Sequence, residues 1–483
     1  MKHQRKPSVA LATVACLVAC AAEPPPTAKD DLGIAIPARW SSALPADGTA
    51  SPHAASEWWR SFDDSRLDRL IEAGLDHNRD LRAALARLDA VTASRTIAGA
   101  EAWPTADVGI DALRARRLFL GFPFGGGGVL SSTTTTFGLS LSLRWELDLW
   151  GRVRAGESAA IADVQAALAD FHAGRLSLIA QTCRAYFAAV EARQQLVLAE
   201  STVAAFRATA DDVRDRYRRG VRPALDVHLA ETNLANAEAT LAQRRDVLQR
   251  SLRQIDLLVG RYPSGLAESA TTLPDTLRAI PAGLPGELLQ RRPDLAAAER
   301  HLAAAGCRVE AARAALYPRL ALTGGGGTSS EQLEDLVDDD FRVWSIGANL
   351  LQPLLHGGAL RAEVARREAQ RAEALAHFGG AVLRAFVEVE DILATDVQIT
   401  ARRQSLARAA EHARQARDLA RQRWQLGLTE FLAVADGQRQ AFQADAALIA
   451  IDRQRIENRI DLFLALGGGF LQESSQEPTG AQP

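Results

Sequence analysis

The sequence is poor in the features that mark several protein classes. Beyond the N-terminal region the only cysteines are Cys183 and Cys307. Two cysteines form no disulfide framework, so we expect both to be small buried side chains with free thiols. The formal net charge is −3, and neither a zinc-ligand spacing nor a basic block occurs, so no nucleic-acid partner is expected. Beyond the N terminus no run of about twenty apolar residues occurs, so any membrane crossing by the mature chain must use strands.

Enzyme motifs are also lacking. The runs Gly125 to Gly128 and Gly324 to Gly327 are not followed by Gly-Lys-Ser/Thr, so we interpret them as surface loops and not as phosphate-binding loops. The nine histidines show no metal-ligand spacing, and no G-x-S-x-G motif occurs. We therefore expect no catalytic activity and no bound metal or cofactor.

The N terminus reads as an export signal. A cationic stretch, MKHQRK, precedes an apolar run of about ten residues, which is too short for a permanent membrane helix. The run ends in LVAC, which resembles the lipobox of bacterial lipoproteins, so Cys20 is predicted to carry a covalent lipid. An ordinary signal peptide that contains a cysteine is the alternative. A Pro-rich tether follows, and Ala21, which is not an aspartate, points by resemblance to the outer membrane.

The rest of the chain is a tandem repeat. Residues 77–108 align without gaps on residues 291–322. A second block, at a slightly smaller offset, pairs Gly220 with Gly427 and holds its register for over a hundred residues. Each repeat predicts a helix, an aromatic-Pro pair, two strands, a very long helix, a glycine turn and a final helix.

The strands and corners are predicted from local pattern. Pro104 and Pro318 are expected to form helix-to-strand corners, because proline disfavours helix in the residue before it. Apolar and small or polar residues alternate in FGLSLSLRW at residues 137–145, as in a strand with one buried face. The other candidate strands are residues 106–117, 320–328 and 341–352.

The long helices are predicted from the absence of proline. None occurs from Gly151 to Tyr217 or from Gly358 to Trp424. A run of about 65 residues makes a helix on the order of 100 Å long. Such a helix must lie along neighbours in a bundle or coiled coil.

The strand count requires several copies of the chain. Two repeats supply only four strands, and an open sheet edge cannot face hydrocarbon. Two, three or four copies would supply about eight, twelve or sixteen strands.

The motifs before the long helices, WELDLWGR and PLLHGG, and the paired Arg-aromatic-x-x-Gly turns resemble those of the TolC-type outer-membrane efflux factors, in the NodT-like lipoprotein branch. This resemblance covers nearly all of the mature chain. It implies a mixed α/β membrane protein, mainly α, in which a homotrimer forms one twelve-stranded barrel continued by a helical periplasmic tunnel. Its implied role is a passive exit duct for small molecules, served by a periplasmic adaptor and an inner-membrane transporter. A duct for protein or peptide secretion and a periplasmic coiled-coil scaffold lipoprotein are the alternatives.

The resemblance places the glycine turns at the periplasmic tip of the tunnel. Gly220 and Gly427 adopt left-handed backbone angles at little cost, so each can cap and reverse a helix. Thr429 and Glu430 are expected to be exposed at this tip and to contact the adaptor.

The resemblance also assigns carboxylates to the closed aperture. Asp226 follows the first turn and Asp436 the second, and both are expected to face the lumen. Their registers differ, because the repeat partner of Asp226 is Ala433 and that of Asp436 is Leu229. Two stacked aspartate rings are therefore in doubt, and solvated or helix N-terminal carboxylates are the alternative.

The remaining predictions concern boundaries and aromatic residues. Phe119, Phe122 and Phe124 are expected in an interfacial girdle or in a collapsed loop core. Trp40, Trp58 and Trp59 are expected to wrap the outside of the junction between barrel and tunnel. We predict a signal peptide at residues 1–19, an acylated tether at 20–56, a first repeat at 57–270, a second repeat at 271–470 and a disordered tail at 471–483.

Overall fold

The structure, a computed structural model, describes residue 34 and residues 37–42, 57–119, 130–275 and 285–468. The chain divides into two compact units. The strand unit holds the described residues of Asp89–Ala167 and Ala298–His377. The helical unit holds those of Gly33–Leu88, Leu168–Ala297 and Phe378–Pro483. Cys20, Phe122, Phe124 and Gly125 to Gly128 lie outside the described residues, as do most of the tether and the C-terminal tail.

The order of elements repeats along the chain. The elements are α1 (Ser65–His77), α2 (Arg79–Ala100), β1 (Thr105–Phe119), β2 (Leu130–Leu147), α3 (Arg152–Arg218), α4 (Ala224–Leu258), α5 (Pro285–Arg291), α6 (Pro293–Ala314), β3 (Arg319–Ser330), β4 (Arg342–Leu351), α7 (Ala359–Gln425) and α8 (Phe431–Ala465). Helices α3 and α7 have 67 residues each, and α4 and α8 have 35 each. The predicted tandem repeat and its two long helices are thus confirmed. In the described part of the chain, no helix is both long and apolar enough to span a membrane.

The strands form one antiparallel sheet in the order β1-β2-β3-β4. Residues directly opposite each other share a face, and the register separates two kinds of side chain. One face is mainly apolar and includes Val108, Ile110, Leu139, Leu141, Leu143, Leu322, Trp344, Ile346 and Leu350. The other face is mainly small or polar and includes Asp107, Ser140, Ser142, Thr323, Ser345 and Asn349. All four candidate strands are confirmed. Strands β1 and β3 are slightly longer than predicted, β4 is one residue shorter at each end, and β2 begins seven residues earlier than predicted, at Leu130.

The loop interpretation of Gly324 to Gly327 is wrong, because these residues lie inside β3. A Cβ on Gly327 would lie 1.9 Å from the carbonyl oxygen of Leu139 on the neighbouring strand, and one on Gly325 would lie 3.0 Å from Ser345 Oγ. Glycine is therefore used here for the close approach of strands.

The main core of the helical unit begins with the 3₁₀ helix Trp58–Phe62. The ring of Trp58 stacks on Phe463 at 4.7 Å between centroids, and Phe62 meets Phe187 at 4.9 Å. Trp58 and Trp59 are only 2% and 3% exposed. They lie among the core residues of this unit, and the predicted wrapping of the junction stays a prediction. Cys183 is buried in the same core, which raises the pKa of its thiol.

Residues 37–42, the N-terminal strap, dock on α7. Trp40 is buried and meets Phe386 edge to face, with 6.0 Å between ring centroids. The backbone N–H groups of Ser41 and Ser42 donate to the two carboxylate oxygens of Glu390, at 2.7 and 2.9 Å. A segment some 350 positions away in sequence is thereby fixed to the helix.

The last helix of each repeat ends on a glycine with left-handed angles. Gly260 follows α4 with a φ of +72°, and Gly467 follows α8 with a φ of +86°. A Cβ on Gly260 would lie 2.5 Å from the carbonyl oxygen of His77, and one on Gly467 would lie 2.0 Å from that of Arg291. The two repeats therefore close in the same way, against equivalent backbone.

Candidate functional site at the hairpin tip

The first hairpin turns between α3 and α4. Gly220 has a φ of +76°. Its N–H donates to the carbonyl of Tyr217 at 2.8 Å, and the N–H of Val221 donates to that of Arg216 at 2.9 Å. This pair of bonds satisfies the last carbonyls of α3 and reverses the chain, as in a Schellman motif.

The second hairpin turns between α7 and α8 by the same bonds. Gly427 has a φ of +77°, its N–H donates to Trp424 at 3.0 Å, and that of Leu428 donates to Arg423 at 2.8 Å. A Cβ on Gly220 or Gly427 would meet no atom within 4 Å. Glycine is therefore favoured at the two tips by the backbone angle alone.

The two hairpins contact each other through Trp424. This side chain is 2% exposed, and its ring lies 5.9 Å from that of Phe431. The guanidinium carbon of Arg216, on the first hairpin, lies 4.2 Å from the centre of the indole, within range for a cation–π interaction. Arg222 approaches the same ring at 5.7 Å. One aromatic side chain of the second hairpin thus fills the space between the hairpins.

Sequence reasoning missed this contact. The repeat partner of Trp424 is Tyr217, which is 47% exposed. A helical repeat pattern assigns the same role to both, and only the larger size of tryptophan distinguishes them. The two repeats have the same backbone conformation at the turn, but the aromatic side chain is buried in the second repeat and exposed in the first.

The predicted gate carboxylates occupy different settings. Asp226 lies in the first turn of α4, where a helix N terminus favours negative charge. Asp436 lies on α8 and accepts hydrogen bonds from Arg439 and, at 2.6 Å, from Gln440 on the same helix. The charge of Asp436 is thus partly balanced within its own helix.

The surface around the turns carries exposed apolar side chains among charged ones such as Arg218 and Arg219. Glu430 is the residue before α8 and is exposed, and Thr429 is half-buried. The largely exposed apolar residues near them are Val221, Leu225, Leu426, Leu428 and Leu432. Neighbouring exposed apolar side chains of this kind are common at protein–protein contact surfaces.

The predicted corners lie in the strand unit. Pro104 directly precedes β1, and Pro318 directly precedes β3. The indole N–H of Trp145 donates to the Ala102 carbonyl at 3.0 Å, and that of Trp150 donates to the Pro318 carbonyl at 2.8 Å. Tryptophan side chains thus brace both helix-to-strand corners. Phe119, the last residue of β1, is exposed.

Comparison with known families matches the chain to the family described as outer membrane efflux protein. Its model matches residues 70–261 and residues 284–468. The two matched segments together include most of the described chain.

Named relatives cover nearly the same length. The pyoverdine export outer membrane protein OpmQ of Pseudomonas putida is 31% identical over 475 residues, which are 95% of this chain and 96% of that protein. The toluene efflux pump outer membrane protein TtgF, from another strain of Pseudomonas putida, is 32% identical over 429 residues, or 88% of each chain. Among solved structures, the outer-membrane channel OprN matches with a TM-score of 0.83 and 30% identity, over 92% of this chain and 99% of that one.

Proposed function

We propose that this chain, which belongs to the outer membrane efflux protein family, is a passive exit duct for small organic molecules. It is an outer-membrane channel component of an efflux pump, and it has the fold of the TolC-type channels. In that fold, three chains form a twelve-stranded barrel that continues as a helical tunnel.

The polar face of the sheet carries this proposal. The side chains that would line the passage are mainly small or polar, with Ser140, Ser142 and Ser345 beside charged residues such as Asp107. Such a surface suits a water-filled passage and does not select one cargo. Relatives named for pyoverdine export and for toluene efflux differ widely in cargo chemistry. A broad class of small molecules therefore fits better than a protein cargo.

We propose a homotrimer that meets a periplasmic adaptor, which in turn binds an inner-membrane transporter. Strands β1 and β4 each pair on one side only within the described sheet, so their free edges need other copies of the chain in a membrane. The apolar tip residues, with Thr429 and Glu430 beside them, are offered to the adaptor. No cofactor is proposed apart from a lipid on Cys20, which would anchor the chain to the outer membrane.

The hairpin tip is proposed as the restrictive aperture. Asp226 and Asp436 are its candidate gate residues. The contact of Trp424 with Arg216 would hold the two hairpins of one chain together, so that opening moves them as a pair.

The test is export in living cells. A strain from which the gene is deleted should accumulate more of a fluorescent hydrophobic dye than its parent, and the intact gene should restore the parental level. Export of the dye that is unchanged by the deletion, together with loss of a secreted protein, would instead favour the secretion alternative.

A further inference from the structure

The apolar face of the sheet has a measurable height. On β2 this face runs through alternate residues from Leu147 to Phe137, and the next two positions on it are Thr135 and Thr133. Ten residues of strand span roughly 33 Å. At the usual tilt of about 40°, they cover about 25 Å of membrane, the height of the apolar band of a membrane barrel. Thr135 therefore lies just beyond one edge of the band.

The neighbouring strand places two arginines at the same level. Arg114 is opposite Thr135, and Arg116 is opposite Thr133. The pairing of β1 with β2 continues without a bulge from Thr105 to Phe119, so every second residue of β1 lies on the same face of the sheet. Arg114 and Arg116 therefore share the outward face with Val108 and lie directly beyond its apolar stretch.

This edge of the band faces the cell exterior. Helix α2 leads into β1 at Thr105, and α3 follows β2 after Leu147. The helices of this family extend into the periplasm, so the opposite end of the strands lies in the outer leaflet. The arginines are thus at the level of outer-leaflet headgroups.

The two guanidinium groups have unused hydrogen-bonding capacity. Both side chains are exposed, on a strand at the edge of the described sheet. Among the described residues, no carboxylate forms an ion pair with either, and Arg116 donates one hydrogen bond to Ser131 Oγ at 3.1 Å. Arg342, on the same face of β4, is by contrast paired with Asp339. At headgroup level, basic side chains without an ion pair attract anionic lipid groups, so an anionic partner is expected there.

We propose that Arg114 and Arg116, with the hydroxyls of Thr133 and Thr135 beside them, bind a phosphate group of the lipid A glycolipid in the outer leaflet. Guanidinium groups match phosphate oxygens in a fork geometry, and the paired threonines supply further donors. This inference rests on the outer-membrane location and not on the proposed cargo. Its test therefore stays separate from the test of export.

Arg117 provides a matched control. It is the next residue of the same strand, is exposed and has the same chemistry, but it lies on the opposite face of the sheet. Replacing Arg117 removes one positive charge, as each replacement at Arg114 or Arg116 does, but leaves the four residues of the proposed site unchanged.

The experiment measures lipid binding to purified, delipidated trimers by native mass spectrometry. The probes are diphosphoryl lipid A, dephosphorylated lipid A, phosphatidylglycerol and inorganic phosphate. The intact protein and Arg117→Gln should bind diphosphoryl lipid A equally and in preference to the other probes. The double variant Arg114→Gln/Arg116→Gln should bind it about 30-fold more weakly, from the usual contribution of two basic residues to binding an anionic lipid. Arg114→Lys/Arg116→Lys should retain part of the binding, since it keeps the charge and loses the fork.

Three results would overturn the proposal. Equal affinity of the double variant and the intact protein would remove these arginines from any lipid site. Equal binding of dephosphorylated lipid A would show that the acyl chains and not the phosphates are recognised. Phosphatidylglycerol binding as tight as that of diphosphoryl lipid A would reduce the patch to a general anionic surface. The trimer content of each variant, measured in the same spectra, separates lost binding from lost assembly.

Discussion

Asp436 offers a direct test of the proposed aperture at the scale of one residue. The substitution Asp436→Ala should raise the single-channel conductance of the trimer in a planar bilayer. It removes a carboxylate that constricts the proposed aperture, and it frees Arg439 from its hydrogen bond to that carboxylate. Asp418→Ala is the control, since Asp418 on α7 is likewise paired with an arginine of its own helix, Arg417, at 2.8 Å. Equal conductance of Asp436→Ala and the intact channel would remove Asp436 from the gate.

Glu390 gives the N-terminal strap a dependence on pH. Burial acts to raise the pKa of Glu390, but hydrogen bonding to the backbone N–H groups and side chains of Ser41 and Ser42 outweighs it and lowers the pKa below its ordinary value of 4.5. A depressed pKa in the docked state means that the ionised carboxylate stabilises docking above that ordinary value. This stabilisation is lost as the pH falls through the depressed pKa.

Hydrogen exchange of the Ser41 and Ser42 amides measures this docking. Protection should persist at neutral pH and disappear in acid, after correction for intrinsic exchange rates. Glu390→Gln should weaken protection at neutral pH and remove its dependence on acid, whereas Asp391→Asn, at the exposed neighbouring position, should change neither. Protection that survives in Glu390→Gln would assign the docking to Trp40 alone.

The role of a single residue could be predicted from the sequence only where the backbone conformation requires that residue type. Gly220 and Gly427 repeat at one offset and lie in the two turns. The burial of Trp424 depends on the neighbouring hairpin, which is far away in sequence, and no local pattern reports that. The contact of Trp58 was not predicted for the same reason, because its partner Phe463 lies at the other end of the chain.

At the scale of elements, the helices were the most predictable part. A long run without proline, rich in good helix formers, has few alternatives. The glycine run in β3 misled because glycine has low strand propensity, while its real function depends on how closely β2 approaches. Contacts between strands decide such a segment, and its own composition does not.

The helix-ending glycines differ in what they tolerate. Gly220→Ala should cost only about 1 kcal/mol, since the new methyl group meets no neighbour and only the left-handed angle is strained. Gly260→Ala should destabilise the protein clearly more, because its Cβ would also collide with the carbonyl of His77. Thermal unfolding of the detergent-solubilised protein should show a larger fall in midpoint for Gly260→Ala. Equal falls would mean that the backbone near His77 yields freely.

At the scale of the whole molecule, the two faces of the sheet make opposite demands. Leu141 lies near the middle of the apolar band on the outward face, and Ser142 lies on the polar face. Leu141→Arg should destabilise the inserted protein by about 2–4 kcal/mol, the usual effect of arginine at the midplane. Ser142→Arg should insert normally, because its side chain meets water.

The measurement is the fraction of each variant recovered as trimer from outer membranes. A low yield for Leu141→Arg beside a normal yield for Ser142→Arg is the expected result. The reverse would exchange the assignments of the two faces, and with them the outward position of Arg114.

The number of copies lay beyond what the pattern of strands alone predicts. Four strands per chain required several copies, but two, three and four all satisfied that requirement. The choice of three came from family resemblance, because the unpaired edges of β1 and β4 in one chain do not indicate how many chains form the barrel.

The equal lengths of the paired helices have a consequence for how this chain can change. Both hairpins use 67 residues in one helix and 35 in the next. Removing about seven residues from each helix of the first hairpin alone would shift Arg216 by about 10 Å from Trp424, and the contact between indole and guanidinium would be broken. A length change in one hairpin alone is therefore expected to break this contact, whereas the same change in both hairpins would preserve it. The two hairpins differ in their side chains, but the contact between them requires that they keep the same length.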